Sequence, residues 1–178
     1  MPRLFTALDI PDDIRQTLAM LRGGLPGARW IDPENYHLTL RFIGDVDDVV
    51  AREVEWLLSK VQRRSFDIRL ENVSVFGGRR PRAIIATAAT NRALLELQAE
   101  HERLMRRVGL EPEGRKFTPH VTLARLRDTS SHQAADYLSA RGHFRTAPFP
   151  VTGFVLYSAR ASVGGGPYIV EADYPLAA

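Results

Sequence analysis

His37-Leu38-Thr39-Leu40 and His120-Val121-Thr122-Leu123 repeat one pattern, His-x-Thr-Leu, at two widely separated points of a 178-residue chain. An imidazole titrates at about 6.5 when unperturbed, so two of them can supply both an acid and a base near neutral pH. The threonine two residues along can donate a hydrogen bond to a non-bridging phosphate oxygen, where charge builds in a displacement at phosphorus. Each string sits in a run that reads as a β-strand. Alternation then puts His37 and Thr39 on one face and Leu38 and Leu40 on the other. The second copy divides in the same way, with His120 and Thr122 facing away from Val121 and Leu123.

The same alternation carries Arg41 onto the face of His37 and makes it a candidate for contact with phosphate or an RNA backbone. Arg125 falls with Val121 and Leu123, away from His120, unless a bulge re-aims it or the strand ends there. Two histidines are also a partial zinc site, but zinc normally needs a third ligand at matched geometry, and no His-Glu-x-x-His pattern is present. No metal or other cofactor is therefore expected. His101 falls between Leu97 and Leu104 on an apolar helical stripe and reads as packed, His132 as a helix-start residue and His143 as a loop residue.

The elements that must position the two strings follow from periodicity and punctuation. Strands are predicted at Arg3 to Ile10, His37 to Ile43, Phe66 to Phe76, Ala83 to Ala89, around His120, at Phe144 to Tyr157 and at Tyr168 to Tyr174. Helices are predicted from Pro11 to about Arg22, Asp47 to Gln62, Asn91 to Val108 and Ser131 to Arg141. Strands and helices mix without strict alternation, which indicates an α+β fold with two similar lobes rather than a doubly wound parallel sheet. The absence of a Pro/Ser linker or low-complexity segment suggests one two-lobed domain over residues 1–178.

Composition bounds the chemistry. The sequence contains no cysteine, which excludes disulfides and thiolate chemistry. The formal net charge is +3, and the basic residues are almost all arginine, with lysine only at Lys60 and Lys116. Guanidinium groups suit bidentate contact with phosphate. The Arg79-Arg80-Pro81-Arg82 loop and Arg115-Lys116 are further candidates for tracking RNA phosphates, with solvated loop charge as the plain alternative. No apolar run approaches the roughly 20 residues of a membrane helix, and the N-terminus lacks a signal-peptide core. A cytoplasmic protein with no membrane and no protein partner, acting as a monomer, is the expectation.

Beyond the two strings, the segments Arg3 to Pro11, Tyr36 to Gly44, Phe117 to Arg125, Leu156 to Ser158 and Gly166 to Tyr168 resemble the two-histidine phosphoesterase superfamily. Within it they are most similar to the LigT-like RNA 2′,3′-cyclic phosphodiesterases, also called 2′-5′ RNA ligases. The resemblance implies two antiparallel sheets lining a central cleft, helices outside, and a pseudo-two-fold relation between the lobes. It also implies His37 as proton donor, His120 as proton acceptor, and Thr39 and Thr122 as phosphate ligands. The implied reaction opens an RNA 2′,3′-cyclic phosphate to a 2′-phosphate, and some members join cyclic-phosphate and 5′-hydroxyl ends. Phe5 and Tyr168 are candidates for stacking on a base, since single-stranded ends are commonly held on aromatic faces. Two other functions fit the same residues: a phosphodiesterase for a small cyclic nucleotide, and a module that grips RNA ends without catalysis.

Overall fold

The computed structural model describes residues 3–160, 162 and 164–178. The order of elements is β1 (Arg3–Asp9), α1 (Asp12–Ala19), β2 (Ala28–Trp30), β3 (His37–Asp45), α2 (Asp48–Leu58), β4 (Phe66–Ile68), β5 (Leu70–Phe76), β6 (Ala83–Ala88), α3 (Arg92–Arg107), β7 (His120–Leu126), α4 (Ser131–Arg141), β8 (Phe149–Val151), β9 (Gly153–Ser158) and β10 (Ile169–Pro175). The α+β class follows directly, with strands that pair antiparallel throughout both sheets.

The two expected halves are present and are joined at a seam. Strands β10-β9-β1-β3 form one half, and β7-β6-β5, with β2 also on β7, form the other. They meet where β3 lies beside β7, through a single register pair, Leu38 with Val121. The run from Phe66 to Phe76 is two strands instead of one: β4 leaves the main sheet and pairs with β8 as a separate ribbon.

All four helices contribute to one buried cluster against one face of the sheet. Ile14 and Leu18 of α1, Val54 and Leu58 of α2, Leu94, Leu97 and Met105 of α3, and Tyr137 of α4 pack there with Leu38, Val121 and Leu123 of the seam strands. Burying a side chain of this size is worth about 1.5–3 kcal/mol, so this cluster supplies most of the drive to fold. Helix starts are set locally. Asp47 accepts a hydrogen bond from the Val50 amide, Asn91 does so from Leu94, and Ser130 forms a reciprocal capping box with Gln133. Each such cap contributes about 1 kcal/mol. With the helices on one face, the other face is left for chemistry.

Candidate active site

The seam pair fixes the geometry of both His-x-Thr strings at once. Leu38 and Val121 are fully buried in the helix-side cluster, so their neighbours point to the opposite face. Continuing the antiparallel register one step each way sets His37 across from Thr122 and Thr39 across from His120. Four polar side chains thus converge about a local two-fold axis through the seam.

Both rings are held alike. His37 Nδ1 donates to the Asn35 carbonyl at 3.0 Å, and His120 Nδ1 donates to the Thr118 carbonyl at 2.6 Å. A carbonyl can only accept, so each Nδ1 carries the hydrogen and each Nε2 is left for proton transfer. Gly166 packs against the residue that supplies one of these carbonyls. Its φ of 105° is left-handed, and a Cβ there would collide with the side chain of Asn35, the residue that fixes His37.

The surroundings of the two rings differ. His37 sits among Phe5, Tyr168 and Tyr157, with ring centroids 5.0, 5.1 and 6.1 Å away, whereas His120 meets Phe76 edge-on at 4.8 Å. Burial lowers the His37 pKa; the Asn35 hydrogen bond opposes this, nearby His120 adds to it, Asp9 opposes it and Arg125 adds to it. Asp9 lies directly across from His37 on β1 and is itself paired with Arg15. Burial also lowers the His120 pKa, against the Thr118 bond. The free protein therefore favours neutral imidazoles in both halves.

Two bulges rearrange the arginines. The β1·β3 register shifts between Thr6 and Ala7, with Leu40 as the extra residue, so alternation breaks just before Arg41. Arg41 turns to the helix face, only 6% exposed, where it meets Glu102 of α3 at 2.5 Å and donates to the Phe42 and Glu111 carbonyls. Its expected place beside His37 is wrong, and Phe42, 55% exposed, points that way instead. In β7 the pairing with β6 shifts at the corresponding point, with Leu123 as the extra residue. Leu123 and Ala124 are both buried, and Arg125 swings to the face of His120 and Thr122, near enough to bear on His37 and on the Tyr168 hydroxyl.

Of the two aromatic candidates, Phe5 is 3% exposed and has no free ring face for a base; it buttresses His37. Tyr168 is half-buried and edge-on to His37. Phe76 and Tyr157 escaped the sequence reading because aromatic residues near strand ends read as core. His101 is fully buried, its Nδ1 2.9 Å from the Thr6 hydroxyl, and takes no part in the cleft. Arg79, Arg80, Arg82, Arg115 and Lys116 are exposed, with Arg115 3.6 Å from Glu113. Among the described residues, no group of three or more His, Asp or Glu side chains is arranged to hold a metal, and no helix is long and apolar enough to cross a membrane.

Three comparisons bear on this arrangement. A family model described as LigT like phosphoesterase matches twice, over residues 8–86 and 85–168, so that each match contains one His-x-Thr string. A protein of Aquifex aeolicus named RNA 2′,3′-cyclic phosphodiesterase is 30% identical over 157 residues, 84% of this chain and 82% of that protein. One of the same name from Aeropyrum pernix is 36% identical over 106 residues, and the match spans 58% of this chain and 60% of that relative. Among solved structures, E. coli LigT complexed with 3′-AMP superposes with a TM-score of 0.80 and 26% identity, covering 99% of each chain.

Proposed function

The chain belongs to the LigT-like phosphoesterase family, and from that premise we propose that it hydrolyses RNA 2′,3′-cyclic phosphate ends to 2′-phosphates with its two histidines as acid and base. The observation that carries the reading is the seam: one register pair opposes two His-x-Thr strings and leaves both Nε2 atoms free.

In this mechanism the cyclic phosphate lies between the halves, its non-bridging oxygens accepting hydrogen bonds from Thr39 and Thr122. His120 Nε2 takes a proton from water as the water oxygen attacks phosphorus. The P–O3′ bond breaks on the opposite side, and protonated His37 gives its Nε2 proton to the departing 3′ oxygen. The products are a 2′-phosphate and a 3′-hydroxyl, and proton exchange with solvent resets the pair. Assigning the acid to His37 follows the family pattern. It is supported by Asp9, the one carboxylate among the described residues that bears on either imidazole. Arg125 stabilises charge on the phosphate, and Tyr168 lines the entrance beside His37. A 5′-hydroxyl in place of water would give a 2′-5′ linkage by the same proton inventory. Residues 1–178 act as one two-lobed unit, since each lobe brings one imidazole.

The test is to incubate the protein with cyclic-phosphate-ended RNA, with and without chelator and with and without a 5′-hydroxyl strand, and to locate the phosphate in the product. A 2′-phosphate formed in the presence of chelator supports the reading. Faster turnover of a free cyclic mononucleotide than of the oligonucleotide would favour a small-nucleotide enzyme. A 3′-phosphate product, or activity lost to chelator and restored by zinc, would sink it.

A further inference from the structure

We propose that Arg29 is a phosphate-binding residue which, beside Arg125, forms a second anion subsite for the RNA phosphodiester next to the cyclic phosphate. The inference rests on the hydrolytic reading above and extends it to the length of substrate recognised.

The register of β2 on β7 places Arg29 directly across from Arg125. Residues opposed in this way lie on one face of the sheet, with Cβ atoms about 5 Å apart. The bulge at Leu123 has already turned that face of β7 toward His120 and Thr122, so Arg29 stands on the cleft side, on the edge of β7 that carries β3 at the seam and four residues further along the strand. Both arginines are exposed. Like charges directly opposed on antiparallel strands destabilise the pair. Other arginines of the same sheet have acidic partners: Arg3 lies 4.0 Å from Asp45, and Arg41 is bound to Glu102. Among the described residues no carboxylate forms an ion pair with Arg29 or Arg125. The one side-chain hydrogen bond of Arg29 there is a 3.3 Å contact from Nη2 to the Gly164 carbonyl, which leaves most of its five N–H donors open.

Two opposed guanidinium groups without a counter-charge beside a phosphate-transfer site are suited to an anion carried by the substrate itself. A cyclic mononucleotide has one phosphate, which the threonines and Arg125 engage. An oligonucleotide brings a second, and Arg29 is placed beyond Arg125 along β7, away from the seam where the first is held. The plain alternative is that Arg29 is an edge-strand charge that helps hold the segment before Tyr168 through Gly164.

A short RNA ending in a cyclic phosphate distinguishes the two when compared with the same strand carrying a neutral methylphosphonate at the linkage next to that end. The wild-type protein should prefer the natural strand by about tenfold in kcat/KM, the size expected of a charged hydrogen bond. In Arg29→Ala this ratio should fall to near one, and Arg29→Lys should restore most of it. An unchanged ratio in Arg29→Ala, or a wild-type ratio already near one, overturns the proposal; equal losses on both strands would assign Arg29 to loop support. Should the wild type hydrolyse neither strand, hydrolysis itself fails as a reading. Equilibrium binding of the matching pair of 3′-phosphate-ended strands, with and without the methylphosphonate, then decides the Arg29 subsite by the same ratio.

Discussion

The imidazoles of His37 and His120 are each gripped by the carbonyl two residues before them, so removing either ring deletes a positioned Nε2. His37→Ala and His120→Ala should each lower kcat by about 10²–10⁴, the usual worth of a positioned acid or base, with unchanged circular dichroism. Turnover that survives both substitutions would exclude the paired-histidine mechanism. Burial lowers both pKa values in the free protein. The bell-shaped profile of kcat/KM should therefore centre below about 6.5. A bound anionic phosphate favours imidazolium, so the profile of kcat should lie at higher pH than that of kcat/KM. Coincident or flat profiles between about pH 5 and 8 would contradict this. His101 behaves differently, because burial, with Arg63 adding to it, lowers its pKa to about 3. Above the unfolded value of about 6.5 the ring is neutral in both states and its contribution to stability is complete. As pH falls from there toward 3 the unfolded chain takes up a proton that the folded core refuses, and stability drops by several kcal/mol. Urea midpoints measured from pH 7 to 4 should fall more steeply for the wild type than for His101→Leu; parallel slopes would refute it.

At the scale of the element, the two bulges exchange the roles that regular alternation assigns to Arg41 and Arg125. Arg41→Ala removes the partner of the mostly buried Glu102 carboxylate, where burial alone would raise the pKa but Arg41, the Glu113 amide and Arg106 hold it low. It should cost about 3 kcal/mol or more in denaturant unfolding while leaving kcat/KM of the folded protein close to wild type. Arg125→Ala should do the reverse, lowering kcat/KM with little change in midpoint. Most of the strands, the helices and the four residues of the strings are legible in the sequence, because paired motifs and apolar periodicity are properties of residue type; the division of Phe66 to Phe76 and of Phe144 to Tyr157 into two strands each is not. The sequence could not show the bulges. An extra residue in a strand carries no compositional mark here, since Leu40 and Leu123 are apolar like the buried neighbours whose positions they extend. β2 was missed for a related reason: three residues are too few to display a period, so Arg29 had no face until it was paired.

At the scale of the whole molecule, the halves are well knit within themselves and lightly joined to each other. β1 and β3 share seven register pairs and β6 and β7 five, whereas the seam between β3 and β7 has one. The proposed mechanism sets the reaction across the line with the fewest backbone rungs. A phosphate that accepts from Thr39 on one side and Thr122 on the other acts as a rung that the main chain omits. In the proposed mechanism the substrate would then be a strut as well as a reactant: it would brace the joint and set the spacing of the two Nε2 atoms. Amide hydrogen exchange at Leu38 and Val121 should slow when inorganic phosphate or a 2′-phosphate product binds, while exchange along β9 and β5 stays as it was. A cleft braced by what it cleaves would relax once the product leaves, so the compliance of a single backbone pair becomes the means by which the site empties.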